Sequence, residues 1–289
     1  MTTVSILGAG KLGTALGTAL RRSGYQIRGL TCLTQSSAQE SRQIIGSGNP
    51  LTDNREAAAG SQVVFLTVPD DAIRGVAEDL ASGGRDWTGV FCLHCSGLLS
   101  SEILAPLAKR GALTASFHPM QSFASKQARP ESFAGIHVGL EGEPRARKKA
   151  QTIVEDLGSQ PFILAAKDKP LYHTACSMAS NLLVPLLHHA SILLQNTGIA
   201  RPDQVEALLP LVKGTLRNVK NFDTKGSLTG PLARGDEKSV TLQIEALQGY
   251  PRALRIYREL SIAALEMART EREINEQEYR RIRALLEGK

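Results

Sequence analysis

Aromatic residues are scarce in this chain: phenylalanine, tryptophan and tyrosine together make up 4% of its 289 residues, with a single tryptophan. They do not alternate with basic residues, which argues against a base-stacking surface, so no nucleic-acid partner is expected. Cysteine is also sparse. Of Cys32, Cys92, Cys95 and Cys176, three lie in runs that read as buried strand or helix, as expected of reduced thiols in a cytoplasmic protein. Cys92-Leu93-His94-Cys95 has no second ligand pair at zinc-like spacing, and strand alternation would send its side chains to opposite faces. No metal is expected. No run approaches about 18 uninterrupted apolar residues. The most apolar segment, Leu182 to Leu194, is broken by Pro185, His188 and His189, so no membrane span is expected. The start, Met1-Thr2-Thr3, shows no basic-then-apolar leader, and a cytoplasmic location is expected.

What is present is an ordinary globular mixture, 42% hydrophobic and 21% charged, long enough for two cores. Much of the net charge of +6 falls in Arg145 to Lys149 and the C-terminal helices, where it reads as solvated surface. The remainder favours an anionic small molecule.

The first 165 residues alternate short apolar runs with helical stretches. Strands are expected at Val4 to Leu7, Ile27 to Leu30, Val63 to Val68, Val90 to Leu93, Leu113 to Phe117 and Ile136 to Leu140. Helices are expected at Leu12 to Arg22, Ser37 to Ile45, Asp71 to Leu80 and Ser101 to Arg110. This alternation predicts an α/β fold, a doubly wound, mostly parallel sheet with helices on both faces. The polar stretch Gln121 to Phe133 reads as a mobile flap. From Lys169 the strand signals stop, and helices are expected at Lys169 to Thr197, Pro202 to Asn221, Asp236 to Gln248, Pro251 to Thr270 and Asn275 to Glu287. Two domains follow: an α/β domain over 1–165 and an all-helical domain over 166–289.

Gly8-Ala9-Gly10-Lys11-Leu12-Gly13 sits between the first strand and the first helix, the context that gives a G-x-G-x-x-G its meaning as a dinucleotide fingerprint. Gly8 makes the tight turn, Gly10 lets the backbone approach a pyrophosphate, and Gly13 permits close helix–strand packing. The N–H groups at Lys11, Leu12 and Gly13 face the phosphates. An NAD site usually carries an acidic residue about 20 positions further on. Here none occurs before Glu40, and the second strand ends in Thr31-Cys32-Leu33-Thr34-Gln35-Ser36-Ser37, with Arg42 soon after. Hydroxyls at Thr31, Thr34 and Ser36 suit a 2′-phosphate, so NADP (as NADPH) is the expected cofactor.

Three polar clusters fall at strand ends, where ligands bind in open α/β sheets: Thr67-Val68-Pro69-Asp70-Asp71, His94-Cys95-Ser96-Gly97 and Ser116-Phe117-His118-Pro119-Met120-Gln121. Val68 and Pro69 are taken with the cofactor. Asp70 and Ser96 can equally cap the helices that follow. His94 and His118 are each open to a structural or a substrate-binding role. Advancing about 100° per residue from Lys169 gathers His173, Cys176, Ser177, Ser180 and Asn181 in an arc of roughly 140°. Lys169 followed by His173 one turn later is what carbonyl reduction needs, a cation and a proton donor at the oxygen. A solvated or inter-subunit polar face gives the same pattern. Pro185 predicts a kink that frees the carbonyl of Asn181.

The motifs His94-Cys95-Ser96-Gly97, Phe117-His118-Pro119-Met120, Lys169-x-x-Tyr172-His173 with Asn181, and Thr229-Gly230-Pro231 with Arg234-Gly235-Asp236 carry a resemblance. The whole chain resembles the 6-phosphogluconate-dehydrogenase-like superfamily, and within it a poorly characterised group of Rossmann-like reductases. The resemblance implies a Rossmann domain followed by an all-helical domain that commonly forms a homodimer. The more distant ketopantoate reductases and 3-hydroxyisobutyrate dehydrogenases use a helix lysine as catalytic acid with an asparagine one turn later. Lys169 matches that lysine, His173 stands in place of the asparagine, and Asn181 matches a further asparagine of the ketopantoate enzymes. The implied activity is NADP-dependent hydride transfer to the carbonyl of a small 2-oxo acid. Lys169, His173, Asn181 and Ser96 would act at the reacting centre, with His94, His118, Ser177 and Arg234 binding the substrate. Arg234 reads equally as part of an interhelical loop capped by Asp236. Imine reduction of the pyrroline-5-carboxylate reductase type, or a non-catalytic NADP-binding sensor, are the alternatives.

Overall fold

A computed structural model describes residues 1–127, 130–198, 203–271 and 274–288. The chain forms two compact units, Met1–Ser180 and Asn181–Lys289. The first unit therefore runs past residue 165, because it includes the helix that begins at Lys169.

The first unit is built on one eight-stranded sheet: β1 (Thr3–Leu7), β2 (Gln26–Thr31), β3 (Asn49–Leu51), β4 (Val63–Leu66), β5 (Phe91–His94), β6 (Leu113–Pro119), β7 (His137–Gly142) and β8 (Gln160–Ile163). Their spatial order is β3-β2-β1-β4-β5-β6-β7-β8. Every pairing is parallel except β6 with β7, and the strand order reverses direction between β1 and β4, the crevice where such sheets take ligands. The expected doubly wound, mostly parallel sheet is present. Short β3 and β8, both unforeseen, close its two edges, and each carries a proline (Pro50, Pro161) of the kind edges tolerate.

Strand alternation sends Ile6, Phe65, Leu93 and Phe117 to one face and Leu7, Val64, Leu66 and Cys92 to the other, and each set heads its own apolar cluster. Helices α1 (Lys11–Arg22), α2 (Gln35–Ile45) and α6 (Pro144–Asp156) cover the first face through Leu16, Leu20, Ile45 and Ile153. Helices α3 (Asn54–Ala58), α4 (Asp70–Ser82) and α5 (Ala105–Ala108) cover the second through Ala57, Ile73, Leu80 and Leu107. Helix α6 was masked in the sequence by Arg145 to Lys149, yet its other face supplies Ala146, Ala150, Ile153 and Val154 to the core. In the segment after β6, Phe123 packs on Phe133 with ring centroids 5.5 Å apart and Lys126 bonds α2, while residues 128 and 129 of the expected flap lie outside the described residues.

The single helix expected over Lys169 to Thr197 is two, α7 (Lys169–Ala179) and α8 (Leu183–Gln195), with Ser180 turning the chain between them. Pro185 accordingly sits in the first turn of α8, where its missing N–H costs nothing, and the carbonyl of Asn181 accepts from the N–H of Val184. Among the described residues, the stretch Ala166–Gln195 is long and apolar enough by length and composition to cross a membrane, contrary to the expectation from sequence. Its break at Ser180 leaves α8 with 13 residues, a rise of about 20 Å against the roughly 30 Å of a hydrocarbon core.

The second unit contains α8, α9 (Asp203–Phe222), α10 (Glu237–Ala246), α11 (Pro251–Thr270) and α12 (Glu276–Glu287). Helices joined by turns make up its described residues, with no strand among them; Pro202, the expected first residue of α9, lies outside them. Its core is Val240, Ile244, Leu265, Ile274, Tyr279, Ile282 and Leu286.

Candidate active site

One cross-strand row fixes the geometry of the site. Thr31 lies level with Leu7, Leu7 with Leu66, Leu66 with His94, His94 with Ser116, and Ser116 with Glu141. All three polar clusters of the sequence therefore share one carboxyl edge with the glycine loop.

The left-handed backbone of Gly8 (φ 90°) turns the chain into α1, and a Cβ there would lie 2.8 Å from the amide of Val68. Gly13 lies against the carbonyl of Gly8 and the hydroxyl of Thr67, which itself bonds that carbonyl at 2.8 Å. Gly10 is exposed with open space above it, as a backbone that must meet a pyrophosphate requires. No side chain caps α1 and its first turn holds no acid, so the N–H groups at exposed Lys11 and half-buried Leu12 head an uncapped positive helix end. A cavity of about 810 Å³ opens here, lined by Gly8, Gly10, Cys32, Ser37, Val68 and Pro69 among others.

The hydroxyl-rich loop divides by role. Thr31 lines the cavity but is buried, with its hydroxyl donated to Asn54 at 2.7 Å and accepting from the amide of Gly8 at 3.1 Å. It shapes the glycine loop rather than offering a free donor. Thr34 caps α2 through the amide of Ser37, and it and Ser36 stay exposed. Arg42 belongs to the last turn of α2, away from this loop. The open glycine loop and the uncapped start of α1 fit a nicotinamide dinucleotide.

The residues expected to act at the reacting centre separate into two tiers. Lys169 is fully buried, donating to the carbonyl of Ser96 at 3.1 Å and the hydroxyl of Ser116 at 2.6 Å. Burial lowers its pKa against the opposing charges of Glu141 and Asp70. In this arrangement its ammonium braces the loop after β5. His94 is also fully buried, accepts from the amide of Ser96 at 3.2 Å, and is pushed down to about 3 by burial and then by Lys169. Ser96 donates to Asp70 at 2.7 Å and accepts from the amides of Leu98 and Leu99, so its hydroxyl caps the turn. Glu141 is spent on the amide and hydroxyl of Ser101.

Above this layer stand His118, Tyr172 and His173, all partly exposed. The Tyr172 hydroxyl lies 2.6 Å from Nδ1 of His118. Burial, then the Cys176 thiol, raises the tyrosine pKa, so the phenol keeps its proton. The donor of this bond follows the tautomer of His118: a phenol that donates to Nδ1 leaves the ring proton on Nε2. Burial, then the charges of Lys169 and His173, push His118 down to about 4, which leaves a neutral ring near pH 7. The His118 and His173 rings meet edge to face, centroids 5.7 Å apart. Between them is Gly97: a Cβ there would fall onto Nδ1 of His173 and 2.7 Å from Nε2 of His118. Among the described residues, Nδ1 of His173 is buried without a hydrogen-bond partner. Tyr172 and Gly97 were quoted as motif residues without a role; the position of Tyr172, three residues after Lys169 and beside His173, was the signal.

Ser177 is half-buried on α7, one turn beyond His173. Asn181 and Arg234 are exposed residues of the second unit, and Asp236 caps α10 by accepting from the amide of Ser239 at 3.0 Å. No group of three or more histidine, cysteine or acidic side chains is placed to hold a metal among the described residues.

Comparison with known proteins agrees with this architecture. Residues 1–119 match a Rossmann-like domain, and residues 136–264 match a domain of unknown function, DUF2520. The chain thus carries a Rossmann-like region followed by a region similar to DUF2520. A Bacteroides fragilis protein described as a candidate NADP oxidoreductase is 25% identical, with a TM-score of 0.77 over 92% of this chain and 98% of that one. A Thermotoga maritima protein of no stated activity is 29% identical, with a TM-score of 0.71 over 93% and 99%. A Coxiella burnetii pyrroline-5-carboxylate reductase shares the fold at 16% identity, TM-score 0.59, over 95% and 99%. No curated protein matches the sequence. The fold is thus one that oxidoreductases carry.

Proposed function

We propose that the protein is an NADP-dependent reductase acting on the carbonyl of a small 2-oxo acid. The observation that carries this reading is the pairing of His118 and His173 over Gly97, on the same sheet edge as the open glycine loop. The likeness to the Bacteroides fragilis protein supports the oxidoreductase class and NADP. Gly8, Gly10, Gly13 and the start of α1 would hold the pyrophosphate, and the loop from Cys32 to Ser37 the adenosine end. When bound, the dinucleotide supplies the hydride. Nε2–H of His118, kept pointing at Gly97 by Tyr172, donates to the substrate oxygen as charge builds there. Nδ1 of His173, otherwise unpartnered, supplies the second polar contact, and the proton that completes the alcohol comes from solvent at this partly exposed site. Lys169, beneath the loop, holds the Ser96 carbonyl and so fixes Gly97.

The test is oxidation of NADPH by the purified protein across a panel of 2-oxo acids and cyclic imines, followed by loss of dihydronicotinamide absorbance. Turnover of a 2-oxo acid supports the reading. Turnover of cyclic imines alone replaces the substrate class, and tight NADPH binding with no turnover across the panel replaces the enzyme with a sensor.

A homodimer through the helical unit belongs to the same reading. Val184, Leu211, Leu216 and Phe222 are each more than half exposed on α8 and α9, an apolar area a second copy would cover. A monomer mass by light scattering at micromolar concentration counts against it.

A further inference from the structure

The loop expected to receive a 2′-phosphate, Cys32 to Ser37, contains no cation of its own. Hydroxyls and the start of α2 are all it offers, and a phosphate dianion in water-exposed surroundings is held far better when a charged donor joins them. That donor comes from a distant part of the chain. Lys126, from the segment after β6, places its ammonium 2.7 Å from the Ser37 hydroxyl and 3.1 Å from the Ser37 carbonyl. Ser37 lines the cavity beside the glycine loop. The third partner of the ammonium is Glu40, at 2.8 Å, whose side chain is 58% exposed.

We propose that Lys126 is the residue that selects a 2′-phosphorylated dinucleotide, through its contact with Ser37 at the edge of the cavity. The inference rests on the dinucleotide reading of that cavity. Glu40 is the first acidic residue of the chain, and its carboxylate, three residues beyond Ser37 on α2, would repel a phosphate. Its pairing with Lys126 neutralises it. Because Glu40 is more than half in water, solvent can take over its carboxylate when the ammonium turns toward the ligand. The same contact orders the strap that follows β6, so phosphate recognition and strap placement depend on one side chain.

The experiment is a pair of titrations, NADPH and NADH, on wild type, Lys126→Met and Glu40→Gln, read by calorimetry. Wild type is expected to prefer NADPH. Lys126→Met should weaken NADPH by about tenfold or more and leave NADH within about twofold. Glu40→Gln keeps the cation and removes the competing charge, so NADPH should bind as tightly as to wild type or tighter. Equal losses for both dinucleotides in Lys126→Met, no loss in either, or a Glu40→Gln variant that behaves like Lys126→Met would overturn the inference, since each is what a mere tether gives. Preference of wild type for NADH overturns it while sparing the dinucleotide site. Failure of wild type to bind either dinucleotide removes the proposed function as well.

Discussion

The hydroxyl of Tyr172 lies 2.6 Å from Nδ1 of His118, and that bond decides which ring nitrogen of His118 faces the glycine between it and His173. A phenol that donates in this bond makes Nδ1 an acceptor and leaves Nε2–H as the donor toward a ligand. Tyr172→Phe removes this constraint while keeping the ring that packs on Phe162 and His118. The expected result is unchanged NADPH affinity with turnover about 10-fold lower, checked by steady-state kinetics beside a binding titration. Unchanged turnover would mean the bond is only packing.

Gly97→Ala places a methyl group where the two imidazoles converge. Turnover should fall about 100-fold because both donors are displaced together. The glycine loop is untouched, so NADPH binding should stay near wild type. A variant that turns over normally would show that the two rings do not need this approach.

Lys169→Ala should act on stability before chemistry. The side chain is fully enclosed and donates to Ser96 and Ser116, so truncation leaves a cavity and unpaired acceptors, a loss of about 2–4 kcal/mol. Lys169→Met, of similar volume, should recover much of that loss. Thermal melts of the two variants check this, and an alanine variant that melts with wild type would return Lys169 to a solvent-facing role.

His94 and His118 make stability depend on pH. Both have their pKa lowered by burial, from 6.5 to about 3 and about 4. Their neutral forms contribute fully above pH 6.5. As pH falls from there toward the folded values, the unfolded chain takes up protons that the native one refuses, and stability is lost. Melting temperature should therefore drop between pH 6.5 and about 4, and His118→Asn should flatten part of that slope. Parallel curves for wild type and variant would contradict the assignment.

The glycine loop was legible because it is a local device: Gly8, Gly10 and Gly13 do their work within one turn of chain. The polar strand ends were legible too, since alternation fixes where a strand stops. Asn49–Leu51 and Gln160–Ile163 were not, because three- and four-residue edge strands with a proline carry no periodic signal. The partners of Lys169 were not legible for a different reason. Its helical phase correctly grouped it with His173, but only the packing of α7 on the loop after β5 decides that the lysine goes under the loop and the histidine stays above. Lys126 gave no signal, because its partners Ser37 and Glu40 are distant in sequence.

The most direct test of the account is NADPH oxidation by wild type and His118→Ala, side by side, on the best substrate of the 2-oxo acid panel. The account predicts equal NADPH affinity and turnover about 100-fold lower in the variant. Turnover by His118→Ala at the wild-type rate would contradict it, whatever the substrate proves to be.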